Sequence, residues 1–154
     1  MEFTSRNLSR PARRRHEILA HTADVGIRAQ GPDLEATFEE AAAALAELSA
    51  DRDDGATPGA SHPVSLQAGD LVALAFAWLN ELIGLVDTRG ALARAQVDDI
   101  AEAPSHWLLR GTVTLAQWDG RAARRRLDLK SATYHRLAVE RIRGGWSLTA
   151  YLDV

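Results

Sequence analysis

An α+β fold with antiparallel sheets packed against two main helices is what this 154-residue sequence predicts, and three observations carry the prediction. Two segments, 34–48 and 71–86, place apolar residues at the three- and four-residue spacing of a helix. The segments around them are short and β-rich, and four follow one another after the second helix. The resulting order, β-β-α-β-α-β-β-β-β, leaves no run of alternating β and α units from which a doubly wound parallel sheet could be built. With 46% hydrophobic and 25% charged residues, the length suits one domain, and disorder, collagen-like repeats and a bare coiled coil are excluded.

Taken in order, residues 1–15 are polar, rich in Arg and without periodicity, and read as a disordered or loosely attached arm. Residues 16–154 read as one domain. Residues 16–20 form a short strand, and Val25, Ile27 and Ala29 alternate with Gly26, Arg28 and Gln30 as in a half-buried strand. Gly31-Pro32-Asp33 punctuates the chain, with Asp33 placed to cap the first helix. In that helix Leu34, Phe38, Ala41, Leu45 and Leu48 share a face, while Glu35, Glu39, Glu40 and Glu47 form the polar face. Residues 49–63 read as a loop; its Asp51-Arg52-Asp53-Asp54-Gly55 run lacks the later Glu of a calcium loop. After a strand at 64–68, Gly69-Asp70 opens the second helix, which is apolar almost all round and therefore central. Strands follow at 92–100, 107–118, 127–137 and 146–153, with Arg143-Gly144-Gly145 as the turn between the last two.

Composition removes several classes of function. There is no cysteine, which excludes disulfides, thiolate zinc sites and a Cys nucleophile, so any metal must be held by carboxylates, His or backbone oxygens. The net charge is −3, from 18 basic and 21 acidic residues, and the single Lys is Lys130. Residues 1–15 carry +4, residues 16–119 carry −12 and residues 120–154 carry +5, so nucleic acid is no obvious partner of the whole chain. No apolar run follows the basic arm, as a secretory signal would need, and the longest apolar stretch, 71–79, is too short to span a bilayer. A cytoplasmic protein without membrane association is the expectation.

Three groups of residues could carry chemistry. His21-Thr22-Ala23-Asp24 sets a His and a carboxylate in a connection between strands; on spacing alone a hairpin turn with an Asx-type bond is the favoured reading. At the chain end, Asp153 and the Val154 carboxyl group stand side by side where a strand stops, and with Asp24 they make a hard oxygen set suited to Ca²⁺ or Mg²⁺. A solvated terminus is the plainer alternative. In Lys130-Ser131-Ala132-Thr133-Tyr134-His135, strand alternation would put Lys130 and His135 on opposite faces unless a bulge or strand end re-aims one. Ordinary edge-strand decoration is the alternative there. Trp78, Trp107, Trp118 and Trp146 read as packing residues. Arg121 and Arg124-Arg125-Arg126 read as a solvated hairpin tip, with a surface that meets phosphate or an acidic protein as the alternative.

Read together, these pieces resemble the archease family. His21-Thr22-Ala23-Asp24-Val25-Gly26-Ile27 resembles its opening signature, and residues 31–43 are similar to its first helix. Trp78-Leu79-Asn80-Glu81-Leu82 matches its second-helix motif, Lys130-Ser131-Ala132-Thr133-Tyr134-His135 its Lys-Ala-Val-Thr-Tyr-His strand, and Leu152-Asp153-Val154 its terminal Asp-aliphatic pair. The resemblance covers residues 17–154, with Ser131-Ala132 in place of Ala-Val. It implies a non-catalytic accessory protein of an RtcB-type RNA ligase, promoting guanylylation of the ligase's active-site histidine in tRNA splicing or RNA repair. RNA would be reached only through the ligase. The resemblance also implies a divalent metal, Ca²⁺ favoured over Mg²⁺, on Asp24, Asp153 and Val154, with His21, Lys130 and His135 facing the partner or a nucleotide. A general chaperone or adaptor with a structural metal, and a small hydrolase using His21 as base, are the competing expectations.

Overall fold

Complete burial of Ile27 and Ala29, with Arg28 and Gln30 left half-exposed, marks Val25–Gly31 (β2) as a strand covered on one face. The computed structural model describes residues 10–20, 24–52, 59–118 and 123–154. β2 lies between Arg15–Ala20 (β1) and the last strand, Gly145–Asp153 (β10), antiparallel to both. The free edge of β10 pairs with Ala138–Ile142 (β9) along its first half and with Ser131–Ala132 (β8) at its end. A second antiparallel sheet has Ser61–Ala68 (β4) and Ala91–Ala103 (β5) on either side of His106–Ala116 (β6). Ala50–Arg52 (β3) and Ala123–Arg125 (β7) form a separate short pair. Every pairing is antiparallel, as the element order predicts.

The helices run over Leu34–Ser49 (α1) and Leu71–Thr88 (α2). Each begins on an aspartate: Asp33 Oδ1 accepts the Ala36 N–H at 2.7 Å and Asp70 Oδ1 the Ala73 N–H at 2.8 Å. α1 packs on β1, β2 and β10 of the larger sheet and on β5 of the smaller; α2 packs on β4, β5 and β6 and also on β8 and β9. Both sheets and both helices therefore share one core. The unbroken apolar run 71–79 is too short to span a bilayer, but the whole of α2 is long and apolar enough to do so; here Leu74, Ala75, Trp78, Leu79, Leu82, Ile83 and Val86 form its buried face. Trp78 is fully buried and its Nε1–H donates to the Phe38 carbonyl of α1 at 3.0 Å, tying the helices together. Trp118 likewise donates to the Val86 carbonyl, and all four tryptophans pack on the core.

Four sequence expectations need correction. The segment 49–63 is not all loop: β3 lies in it and β4 begins at Ser61, with Pro63 tolerated because β4 is an edge strand. The segment 127–137 is strand only at Ser131–Ala132, because a turn follows: Leu137 N–H donates to the Tyr134 carbonyl and Arg136 adopts φ 57°. Its buried residues, Leu129, Ala132 and Leu137, indeed lack a two-residue period. The final hairpin is instead β9–β10, and Gly144, at φ +79°, supplies the left-handed turn residue. Finally, Arg125 and Arg126 are solvent-exposed, as expected, but belong to no hairpin tip, since β7 pairs with β3. Arg125 lies 4.4 Å over the Trp118 ring, and Arg126 donates to the Glu47 carbonyl at 3.0 Å. Arg121 lies outside the described residues.

The glutamates on the polar side of α1 are all engaged. Glu35 accepts the Ile100 N–H at 3.0 Å and Glu39 the Val97 N–H at 2.8 Å, so side chains satisfy the open edge of β5. Glu39 also meets Arg14 at 3.0 Å, and Ala12 N–H donates to the Gly144 carbonyl, so residues just before β1 contact the domain. Glu40 and Glu47 hold His16 of β1, each with a carboxylate oxygen 2.8 Å from a different ring nitrogen. A neutral imidazole has one N–H, so both contacts are hydrogen bonds only in the imidazolium form. Burial lowers the His16 pKa, but the two carboxylates outweigh it and raise the pKa above its ordinary 6.5. A raised folded-state pKa means the stabilisation is complete below about pH 6.5 and is lost as pH rises through the higher folded value. Thermal midpoints of wild type and His16→Ala should therefore differ most near pH 6 and converge as the pH rises into the alkaline range. A gap that stays constant over that range would contradict the charged clamp.

Candidate metal and partner site

Asp24 and Asp153 are 129 positions apart in sequence, and strand register brings them to one end of the larger sheet. Leu152 pairs with Val25, so the antiparallel ladder carries Asp153 opposite Asp24 in its next step. Leu148, Ala150 and Leu152 alternate as fully buried anchors, which fixes β10 to the core up to the residue before Asp153. Gly26 permits this seating: a Cβ there would lie 2.7 Å from Tyr151 Cε1 and 2.9 Å from Leu19 Cβ. On the other side of β10, Asp153 pairs with Ser131. The Ser131 hydroxyl donates to Asp153 Oδ2 at 3.4 Å and the Lys130 N–H donates to the Asp153 carbonyl at 2.9 Å. Asp24 is half-buried, whereas Asp153, Val154 and Lys130 are exposed.

The segment that carries Lys130 is held by α2. Asn80 accepts the Ala132 N–H at 2.9 Å through Oδ1 and donates to the Ala132 carbonyl at 3.4 Å through Nδ2. Its Nδ2 also donates to the Phe76 carbonyl at 3.1 Å. Phe76, one turn earlier on the same face, stacks on Tyr134 with ring centroids 4.0 Å apart and planes 11° apart. Thr133 N–H still pairs with the Tyr151 carbonyl, and then the chain turns. Strand alternation, which would oppose Lys130 and His135, ends at that turn. The His135 ring lies 6.3 Å from the Tyr151 ring, and the Arg136 guanidinium 5.9 Å from it.

Asp24, Asp153, Lys130 and Ser131 thus share one sheet end with Val154 beside them, and His135 lies across Tyr151. His21 lies outside the described residues. The donors at this end are oxygens, the set a hard divalent cation prefers. Among the described residues no three His, Asp or Glu side chains gather at one point. A cation here would therefore use the two aspartates together with main-chain oxygens beside them. Residue reading missed the roles of Asn80, Phe76 and Tyr134. The signal was present in Asn80, which with Glu81 interrupts a largely apolar helix, since a half-buried amide needs partners.

Fold and site together define a two-helix α+β domain with Asp24 and Asp153 at one end of its larger sheet. Residues 16–154 match the family described as the archease protein family (MTH1598/TM1083). The protein archease of Methanosarcina mazei is 28% identical over 144 residues, covering 92% of this chain and 97% of that protein. That of Saccharolobus islandicus is 31% identical over 141 residues, covering 92% and 99%. The solution structure of Methanobacterium thermoautotrophicum protein 1598 superposes with a TM-score of 0.76 at 28% identity, covering 90% of this chain and 98% of that one. An archease from Thermotoga maritima, described as a possible chaperone, shares the fold at a TM-score of 0.59 and 20% identity, covering 90% and 96%. This chain belongs to the archease family.

Proposed function

We propose that this archease is a non-catalytic, cytoplasmic activator of an RtcB-type RNA ligase. In this reading it promotes GMP transfer onto the ligase's active-site histidine and sustains repeated turnover in tRNA splicing or RNA repair. The supporting observation is that Asp24, Asp153 and Lys130, far apart in the chain, meet at one solvent-facing sheet end. Asp24, Asp153 and Val154 would hold a divalent cation, Ca²⁺ in preference to Mg²⁺, whose charge would offset the facing carboxylates. Leu152 fixes the backbone that presents Asp153, and the Lys130 N–H orients the Asp153 carbonyl. The Lys130 ammonium, with His135 and His21, faces the partner or its nucleotide.

Ligation by the cognate ligase with RNA in excess tests this reading. Turnover should continue past one round only when this protein is present, and equal turnover without it would sink the proposal. Lys130→Arg keeps the charge but replaces a compact ammonium with a planar guanidinium, so it should activate poorly. A general chaperone with a structural metal would instead suppress aggregation of unrelated clients and tolerate that substitution.

A further inference from the structure

Among the described residues Tyr134 is the most exposed large hydrophobic side chain, at 56%. A single exposed tyrosine is ordinary, but this one is held. Its ring lies flat on Phe76, its carbonyl accepts the Leu137 N–H, and two residues earlier Asn80 pins both polar groups of the Ala132 backbone. Phe76 and Asn80 stand one helical turn apart on α2, so a rigid element presents the ring to solvent. Phe76 and Val72 before it are themselves only partly buried, which extends the apolar surface along the helix.

We propose that Tyr134, on its Phe76 platform, is the anchor by which a protein partner docks over the Asp24–Asp153 end, with the phenol ring entering an apolar slot of that partner. The occupant follows from continuity. The segment that ends in Tyr134 begins at Lys130, whose N–H is bonded to Asp153, and Ser131 bonds the Asp153 carboxylate. One held segment, 130–134, thus carries both the neighbours of Asp153 and the ring. Tyrosines fixed before binding are favoured anchors, because they bury large area while losing little conformational freedom. The inference rests on the ligase-activator reading and adds the contact surface to it.

The test titrates the full chain against a fixed concentration of RtcB-type ligase and reads both the half-saturating concentration and the plateau of turnover. Tyr134→Ala should raise the half-saturating concentration about tenfold or more, with the plateau regained at excess. Tyr134→Phe keeps the ring and the stack and should stay within about twofold of wild type. Thermal midpoints of both variants check that the fold is intact. No activation by wild type at any concentration overturns both readings. Activation by wild type with an unchanged half-saturating concentration for Tyr134→Ala overturns the anchor alone. So does sedimentation showing that wild type self-associates, that Tyr134→Ala is monomeric and that its half-saturation is unaltered, since the ring would then pack against a second copy.

Discussion

Asp24→Ala and Asp153→Ala should each reduce ligase activation to the unaided level while leaving the metal-free fold intact. Asp153 is exposed and Asp24 half-buried, and neither side chain supports the core. Substitutions at such positions change stability by within about 0.5 kcal/mol, which for a domain of this size is a midpoint shift of about 2 °C or less. In metal-free protein the change should therefore be close to neutral. With cation present it should not. A cation at about 100 times its dissociation constant stabilises the form that binds it by about 2.7 kcal/mol, or about 5–11 °C in midpoint. Wild type should show that rise with Ca²⁺ and lose it with chelator, and each variant should show neither. A Ca²⁺-dependent rise that survives in Asp153→Ala would place the cation elsewhere.

Trp78→Ala should cost about 3–5 kcal/mol, a large part of the roughly 5–15 kcal/mol that holds a typical domain folded. Trp78 is fully buried among residues of both helices, and its indole N–H is the bond to the Phe38 carbonyl. The truncation therefore leaves a cavity and also an unsatisfied carbonyl. Trp78→Phe separates the two: it keeps much of the volume, loses the hydrogen bond and should cost about 1–3 kcal/mol. Urea unfolding measures both, with an unchanged slope expected if only stability alters. A loss below about 1 kcal/mol for Trp78→Ala would mean that α1 and α2 do not depend on this contact.

The parts of the fold legible in the sequence were those set by local rules. Asp33 and Asp70 stand directly before apolar periodic runs, and both cap helices as read. Val25, Ile27 and Ala29 have strand alternation, and β2 follows it. The parts that were not legible depend on partners distant in the chain. β3 and β7 are three residues each and exist through their pairing with one another. Glu35 and Glu39 look like a solvated helix face until β5 is seen to bring Ile100 and Val97 against them. His16 carried no local signal, because Glu40 and Glu47 meet it only once β1 lies beside α1. At the site, residue chemistry could nominate Asp24 and Asp153 as oxygen ligands, but it could not supply the Leu152–Val25 register that opposes them. Family resemblance joined these positions in the sequence, and the strand ladder now gives a physical reason for it.

The most direct measurement is transfer of labelled GMP from GTP to the active-site histidine of the cognate RtcB-type ligase, followed in ligase that has already completed one round of ligation. With wild-type protein present, the label should reappear on the ligase at a rate that rises with its concentration, and Asp153→Ala should restore only the rate of ligase alone. Equal relabelling with and without the wild-type protein would contradict its role as an activator.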